Sequence, residues 1–206
     1  CDSTSSSATD PSGAVVTTSL DIEALPAPAL SLADGGRAVV VRTGGGLAVE
    51  PLSGGPPSAL GGRVDQAAGD PRSLGAFVSV GPAGGPDTAV ELRDGPALVL
   101  ATAAQIDQDA AVPPDRPERL AVFPDPAGDK IAVAASSALG TDAALVVLDR
   151  TGRVLGSVGP ATGPIAGSRV YWSPDGRSLA YTTFGSDGTA LALVDGEHPS
   201  PDALRH

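Results

Sequence analysis

The feature that most constrains the fold is a segment of twelve residues at positions 170–181, with the sequence VYWSPDGRSLAY. Its centre has the composition of a tight turn, because Pro174 presets φ, Asp175 can bond its own backbone, and Gly176 supplies the positive φ that a chain reversal needs. Its flanks contain aromatic and β-branched residues, which favour strands. The segment predicts a β-hairpin with Trp172, Pro174, Asp175 and Gly176 as its structural turn motif.

Weaker copies of this strand–turn–strand pattern recur along the chain. We take Gly35, Gly85, Gly128 and Gly176 as the turn glycines, which are 50, 43 and 48 residues apart. A repeat of about 40–50 residues that holds four short strands is typical of β-propeller blades. The sequence therefore predicts an all-β fold, a small β-propeller of about four blades, each a four-stranded antiparallel meander. A β-sandwich is the main alternative, because it too is built from short strands and turns.

The motif at residues 172–181 has the order aromatic-Ser-Pro-Asp-Gly-Arg-x-Leu-Ala-Tyr. This pattern resembles the repeat hairpin of TolB-like β-propellers, closely over about a dozen residues and more weakly elsewhere. The resemblance implies a propeller of the cell envelope that contacts other envelope proteins through one face and its central channel. It does not by itself specify chemistry, since propellers serve as enzymes, binding proteins and scaffolds.

Three features of the predicted propeller stay open at this point. Residues 15–20 form a spare strand, and we predict that they pair with residues 190–194, so that the N-terminal strand closes the last blade and removes two open sheet edges. TolB-like propellers usually have more blades, so a closed four-bladed ring, a ring with a misdivided blade and an open half that needs a partner all fit; we favour the closed ring. Residues 105–112 are predicted as an outer strand, with a short helix over 101–111 as the alternative.

The chain carries 24 acidic and 13 basic residues, a net charge of −11. This charge argues against binding nucleic acid or an anionic membrane surface through a basic patch. An acidic surface would instead steer basic partners towards the protein. No run of residues approaches the ~18 apolar residues of a membrane span.

The sole cysteine is Cys1, and a Ser/Thr-rich stretch follows it. This arrangement resembles a mature bacterial lipoprotein, which implies a lipid on the sulfur of Cys1, membrane anchoring and an extracytoplasmic location. The alternative is an incidental thiol. We predict a flexible tether over residues 1–13, the β-propeller domain over 14–196 and a polar C-terminal tail over 197–206.

No catalytic residue is predicted. The two histidines, His198 and His206, both lie in the polar tail, and the chain contains no Gly-x-Ser-x-Gly motif. A nucleophile–base pair would need one of these histidines packed against a serine in a structured site. Trp172 could stack on a ligand at a rim, but its place just before the turn favours packing between blades.

Metal and cofactor sites are not predicted either. Asp125 with Asp129, Asp175 and Asp187 are acidic turn residues that could be considered for calcium, but none matches the spacing of a calcium loop. Such residues usually serve the turn itself. The glycine-rich stretches lack the Gly-Lys-Ser/Thr of a phosphate-binding loop.

We therefore expect a lipid-anchored extracytoplasmic β-propeller that binds or scaffolds proteins of the cell envelope, and not an enzyme. Its expected partners are envelope proteins or peptides and, through the lipid on Cys1, the membrane; nucleic acid is not expected. The alternative function is an accessory lipoprotein that binds a small solute or a metal for a transporter.

Overall fold

The computed structural model of the protein describes residues 5–9, 15–19, 30–43, 46–59, 66–80, 88–92, 97–110, 117–137, 143–159, 169–185 and 188–200. Almost all the regular structure in these ranges is antiparallel β-sheet. Four sheets follow one another along the chain, each a meander of neighbouring strands, and a separate two-stranded hairpin precedes them. The prediction of an all-β fold with about four meander units is confirmed.

The strands of each sheet follow chain order from one edge to the other. The hairpin consists of β1 (Ser5–Thr9) and β2 (Val15–Ser19). The first sheet consists of β3 (Leu30–Ala33), β4 (Ala38–Thr43), β5 (Gly46–Pro51) and β6 (Ser58–Ala59). The second consists of β7 (Gln66–Gly69), β8 (Ala76–Val80), β9 (Thr88–Leu92) and β10 (Leu98–Thr102). The third consists of β11 (Pro117–Pro124), β12 (Lys130–Ser137), β13 (Ala143–Asp149) and β14 (Val154–Val158). The fourth consists of β15 (Tyr171–Trp172), β16 (Ser178–Gly185) and β17 (Gly188–Asp195).

The first turn of each sheet repeats one hydrogen-bond pattern. Its first residue is Asp34, Asp70, Asp125 or Ser173, and the carbonyl of that residue accepts the N–H three positions later. In the last three sheets, the N–H of the same residue also donates to the carbonyl five positions later. These four positions define the repeat in three dimensions.

The second sheet begins earlier than the sequence indicated. The glycine spacing predicts Gly85 as its turn glycine, but the structure places the first turn at Asp70, between β7 and β8. Gly85 lies outside the described residues. The sequence of β7, Gln-Ala-Ala-Gly, has almost no strand signal, because its small residues serve close packing: a Cβ at Gly69 would overlap the carbonyl oxygen of Leu32 on the neighbouring sheet.

The segment after β10 forms the one α-helix of the described residues, α1 (Ala103–Ala110), rather than an outer strand. Thr102 and Gln105 form a reciprocal cap at its start. The Gln105 Oε1 atom accepts the N–H of Thr102 at 2.9 Å, and the Thr102 Oγ1 atom accepts the N–H of Gln105 at 3.3 Å. Ile106 is buried between the second and third sheets. No helix in the described part of the chain is long and apolar enough to cross a membrane.

In the described part of the chain, three hydrophobic cores lie between sheets that are neighbours in chain order. Val40 and Val49 of the first sheet pack with Val78 of the second. The second core joins the second and third sheets, and the third core joins the third and fourth sheets. Each internal sheet is therefore apolar on both faces, as the blades of a propeller are.

The N-terminal strand does not close the fourth sheet. In the structure β2 pairs with β1, with Val15 opposite Thr9 and Ser19 opposite Ser5, so the predicted pairing of residues 15–20 with 190–194 is not formed. A partner a few residues away requires a much shorter loop to close than one more than a hundred residues away. Strand β1 lies inside the segment that we predicted as a flexible tether, and within the described residues the outer edge of β17 carries no further strand.

Candidate binding channel

The first strands of the four sheets, β3, β7, β11 and β15, lie side by side and run in the same direction. Hydrogen bonds between neighbouring sheets show this, because the residue numbers rise together on both sides of each junction. Between the first and second sheets they join Ser31 to Gly69 and Asp34 to Asp70. Between the second and third sheets they join Gln66 to Val122 and Arg72 to Ala127. Between the third and fourth sheets they join Phe123 to Trp172 and Lys130 to Gly176.

A side-chain-to-backbone hydrogen bond holds each neighbouring pair of these inner strands together. The Ser31 Oγ atom accepts the N–H of Gly69 at 2.9 Å. The Gln66 amide bonds Val122 twice, accepting its N–H at 2.7 Å and donating to its carbonyl at 3.1 Å. The Trp172 indole donates to the carbonyl of Phe123 at 2.8 Å. These bonds satisfy backbone groups that face another sheet and fix the spacing of the inner strands.

A cavity of about 700 Å³ lies along these strands, and residues from all four sheets line it. Most of the wall is apolar and much of it consists of small side chains, among them Ala67, Ala68, Ala121 and Ala134. We call this cavity the axial channel. Its volume falls within the ~300–1,000 Å³ of typical ligand sites.

Among the residues that the structure describes, the charged residues of the channel wall are Arg119, Arg169 and Asp125. Arg119 lies near the start of β11 and Arg169 lies just before β15, so both occupy the end at which the inner strands begin. Asp125 lies at the opposite end, where β11 enters its turn, and it is only 2% exposed. Its Oδ1 atom accepts the N–H groups of Asp129 and Lys130 at 2.7 and 3.1 Å.

The residues of the predicted turn motif meet at the turn end of the fourth sheet. Gly176 has φ +67°, and the Asp175 Oδ1 atom accepts from the Ser173 hydroxyl at 2.6 Å and from the N–H of Arg177 at 3.1 Å. The Ser173 hydrogen bond, followed by that of Arg177, lowers the pKa of Asp175. Pro174 is exposed beside them.

Trp172 packs between sheets. Besides its bond to Phe123, its ring lies under the Lys130 ammonium, with Nζ 5.5 Å from the ring centre. The same ammonium donates to the carbonyl of Gly176 at 2.7 Å. Trp172 is half-buried against the third core and also lines the channel, so part of its surface is accessible from there.

The acidic turn residues considered for calcium serve their own turns or ion pairs. Asp125 and Asp175 accept backbone N–H groups, and Asp129 pairs with Arg72 at 2.6 Å. Asp187 lies outside the described residues. Within the described ranges, no group of three or more His, Cys, Asp or Glu side chains could hold a metal ion.

Two further predicted positions, Cys1 and His206, also lie outside the described residues. His198 is described, and its backbone N–H donates to the Asp195 carboxylate at 3.0 Å.

A buried ion cluster joins the second and third sheets. The Arg150 guanidinium bonds both carboxylate oxygens of Asp70, the Glu91 Oε1 atom at 2.7 Å and the carbonyl of Gly128 at 2.9 Å. Asp70 is 0% and Glu91 1% exposed. Burial raises the pKa of Asp70, but the hydrogen bonds from Arg150, Ser73 and the Arg72 N–H outweigh it and leave that pKa below its usual value.

Sequence reasoning missed the residues that build the channel. Gln66, Arg119, Arg150 and Arg169 are not among the site residues that the sequence predicts. No local signal marks Gln66 or Arg150, because Val122 is 56 residues from Gln66, and Asp70 and Glu91 are 80 and 59 residues from Arg150 in the sequence. Only the recurring position at the start of an inner strand could have indicated Arg119 and Arg169.

Comparisons with known proteins agree with this architecture. No protein-family model and no curated protein matches the chain. Among solved structures it is similar to TolB from Acinetobacter baumannii, with a TM-score of 0.60 and 17% identity, over 92% of this chain and 47% of TolB. Lower similarity is found to an auxiliary nutrient binding protein from Bacteroides thetaiotaomicron VPI-5482 (TM-score 0.46, 10% identity, 82% of this chain and 45% of that one). The hydrazine synthase of Kuenenia stuttgartiensis gives a TM-score of 0.41 at 11% identity, over 85% of this chain and 65% of that one.

The fold is therefore a TolB-like β-propeller fold, as the hairpin motif indicated. The chain spans about half the length of the TolB structure that it matches.

Proposed function

We propose that this protein is a binding module of the cell envelope that holds an extended segment of a partner protein in its axial channel. The observation that supports this most is the channel itself, a cavity of about 700 Å³ lined by all four sheets. The TolB-like fold and the sequence resemblance add support for an envelope role. The proposal involves binding only and assigns no catalytic step.

In this mechanism the partner would bind in a channel whose walls do not rearrange. The bonds from Ser31, Gln66 and Trp172 hold neighbouring inner strands at fixed spacing, so the channel exists before a partner arrives. A pre-formed site avoids the entropic cost of ordering its own walls on binding. The small side chains along the wall leave room for the backbone of an extended peptide.

A second candidate is a small solute, because the channel volume also suits a small molecule. A solute should stabilise the isolated protein against heat without any second protein present. A partner segment should instead crosslink to the channel wall.

The experiment places a photo-crosslinking amino acid at Ser136 in the channel wall and, as a matched control, at Val154 on the outer strand β14. Both proteins are expressed in cells, irradiated and purified, and the crosslinked peptides are identified by mass spectrometry. We expect the same partner segment to be attached at position 136 in repeated experiments and not at 154.

A blocked channel supplies the second measurement. Ser136→Phe should abolish the crosslinked complex when the probe is placed at Ala68, whereas Val154→Phe should leave it unchanged. Thermal melts of both variants establish that they are folded. Equal capture by the two variants would overturn the proposal, and binding of a small molecule in place of a peptide would favour the solute.

The envelope location and the lipid on Cys1 are separate parts of the proposal. Cys1 lies outside the described residues, so the lipid stays a prediction from the sequence. Intact-mass analysis of the cell-expressed protein beside a Cys1→Ser variant checks it, because a diacylglyceryl group adds several hundred daltons only to the former.

A further inference from the structure

We propose that strand β17 is a docking edge for a second copy of this protein, whose own β17 pairs with it in antiparallel orientation. The two fourth sheets then form one continuous sheet across the dimer. This inference goes beyond the proposed function, because it concerns the outer edge of the fourth sheet and not the axial channel.

The first argument is that the fourth sheet ends one strand earlier than the others. The first three sheets each have a fourth strand, β6, β10 or β14, that is hydrogen-bonded to the third. In the fourth sheet β17 is the third strand, and within the described residues no strand pairs with its outer edge. The position that an outer strand takes in the other sheets is therefore open to a strand from another chain.

The ladder between β16 and β17 identifies the backbone groups that point to this edge. The N–H of Gly196 donates to the carbonyl of Arg177 at 2.7 Å, and the pairing of the two strands continues from these residues without a shift. Hydrogen-bonded and non-hydrogen-bonded pairs alternate along an antiparallel ladder, so the residues of even number in β17 bond β16. The residues whose N–H and carbonyl groups point to the free edge are Thr189, Leu191, Leu193 and Asp195.

The second argument is that this edge lacks the features that usually keep sheet edges apart. Proteins protect an edge by making it short or irregular, or by placing lysine or proline on it. Strand β6 has two residues, and β10 and β14 pair in an irregular register. Strand β17 has eight residues in regular register, and its sequence GTALALVD contains no lysine, arginine or proline. Such a strand is suited to pairing with another chain.

The third argument is that β17 matches a second copy of itself. Ala192 packs against the third sheet, so Leu191 and Leu193 lie on the opposite face, where they are 59% and 41% exposed. A two-fold axis at Ala192 is the one arrangement that sets all four edge-directed residues opposite one another, Thr189 facing Asp195 and Leu191 facing Leu193. The four leucines of the two copies then form one apolar cluster. Two-fold contacts of this kind are the commonest in homo-oligomers.

The fourth argument concerns charge. The net charge of −11 makes two copies repel each other unless they meet where carboxylates do not face carboxylates. Asp195 is the one charged residue of β17, and with the axis at Ala192 it lies opposite Thr189. Its Oδ1 atom already accepts the N–H groups of Glu197 and His198 at 2.7 and 3.0 Å. The two paired strands therefore bring no like charges together.

This contact leaves the axial channel accessible. In the fourth sheet the described residues that line the channel are 169–172, in and just before the inner strand β15, whereas β17 is the strand farthest from β15. The sheets of a propeller radiate from the channel, so an outermost strand lies at the rim. Each dimer therefore presents two channels, and a partner with two matching segments gains affinity by binding both.

Sedimentation velocity of the full chain measures the association. All proteins carry Cys1→Ser, which removes the sole cysteine, so that neither a disulfide nor a lipid can join two copies. One strand pair makes a smaller interface than a standard one, so the protein concentrations span ~1–300 µM. We expect a shift from monomer to dimer as the concentration rises.

Leu191→Glu should weaken this association at least tenfold, because it places carboxylates inside the leucine cluster. Val99→Glu is the matched control. Val99 is 56% exposed on β10, the outermost strand of the second sheet, and receives the same change of charge. It should associate as the Cys1→Ser protein does, and thermal melts establish that both variants are folded.

A second measurement locates the contact. With the axis at Ala192, the two copies of this residue form a non-hydrogen-bonded pair whose Cα atoms are ~4.5 Å apart, close enough for a disulfide. The two copies of Ala190 are four residues out of register and therefore ~13 Å apart along the strands. In the Cys1→Ser protein, Ala192→Cys should form a disulfide-linked dimer under mild oxidation, and Ala190→Cys should not.

Two kinds of result would overturn this inference. One is a protein that sediments as a monomer at every concentration, whether the amides of Leu191 and Leu193 exchange freely with solvent or are protected by another segment of the chain. The other is a dimer that Leu191→Glu does not weaken, or that links through Ala190→Cys as readily as through Ala192→Cys, because the copies then meet elsewhere. In each case, crosslinking at Ser136 decides the proposed function independently.

Discussion

The side chain of Gln66 bonds both backbone groups of Val122, accepting the N–H at 2.7 Å and donating to the carbonyl at 3.1 Å. Gln66 begins the inner strand of the second sheet, and Val122 lies within the inner strand of the third. The amide thus substitutes for the peptide group that a further strand would present. It is the most complete of the side-chain bonds that hold the inner strands of the channel in place.

We expect Gln66→Leu to lower the free energy of unfolding by about 1–3 kcal/mol, because it leaves the N–H and carbonyl of Val122 without their partner. Urea denaturation measures this. Gln66→Glu is the informative companion, since its carboxylate can still accept the N–H of Val122 but repels the carbonyl. If Gln66→Leu unfolds at the same urea concentration as the unaltered protein, the bond does not stabilise the fold.

Removal of Arg150 should be more damaging. Arg150→Met leaves Asp70 and Glu91 buried without their cation, which should cost about 3 kcal/mol at pH 7. Arg153→Met removes an arginine from an exposed pair with Asp149 and should cost less than about 1 kcal/mol. The comparison separates a buried ion pair from an exposed one on the same turn.

The cost of Arg150→Met should also depend on pH. The pKa of Asp70 is lowered in the folded protein, so its contribution is present above about pH 4 and is lost as the pH falls through the folded pKa. In the variant, burial would raise that pKa instead. We therefore expect the difference in unfolding free energy between the two proteins to shrink from pH 7 to pH 3. A constant difference over this range would contradict the role given to Asp70.

Two turn glycines with similar backbone angles provide a matched pair of substitutions. Gly176 has φ +67° and Gly35 has φ +63°. A Cβ at Gly176 would lie 2.9 Å from the Oδ2 atom of Asp125. Asp125 is buried, and its other carboxylate oxygen accepts an N–H of its own turn. A Cβ at Gly35 would meet nothing within 4 Å.

Gly35→Ala should therefore cost about 1 kcal/mol for the backbone angle alone, and Gly176→Ala should cost clearly more. Thermal melts of the two variants measure the difference. Equal melting temperatures would show that Asp125 moves aside without cost.

Asp149 should titrate at unusually low pH. The hydrogen bond from the Thr151 hydroxyl, with smaller contributions from the Arg153 side chain and two backbone N–H groups, lowers its pKa from 3.8 to about 2 despite some burial. Its stabilising contribution is therefore present above about pH 4 and is lost as the pH falls towards 2. Carbon-detected NMR of the carboxyl groups gives the midpoint directly, and Asp149→Asn identifies the signal. A midpoint near 3.8 would refute the bonding around Asp149.

The hairpin at residues 170–181 could be predicted because its information is local. Gly176 takes the positive φ that the turn required, and Asp175 accepts an N–H two residues later. The inner strand β7 could not be predicted, because its residues Gln-Ala-Ala-Gly contact the inner strands of the preceding and following sheets and show no strand pattern of their own. Helix α1 was one of two alternatives, and its burial against the third sheet, with Ile106 inside the core, agrees with the helix.

The strand that pairs with β2 was not predicted correctly from the sequence. The sequence showed a spare strand and an incomplete last sheet, and we paired them. The structure pairs β2 with β1, which the composition of Ser5–Thr9 had not indicated as a strand. Strand pairing depends on which edges meet, and the side-chain pattern of one strand does not contain that information.

The sequence by itself determined the all-β class, the recurring turns and the TolB-like fold, because turn chemistry and strand preference act between neighbouring residues. The tertiary structure alone decided the channel. In it, four inner strands lie side by side, and side-chain bonds from Gln66 and Trp172 join neighbouring strands. The Asp70–Arg150–Glu91 cluster is buried between two sheets, and Arg119 and Arg169 lie at one end of the channel wall. The physical reason is that these contacts join residues about 50 or more positions apart, and their strength comes from burial and alignment that exist only after the sheets have packed.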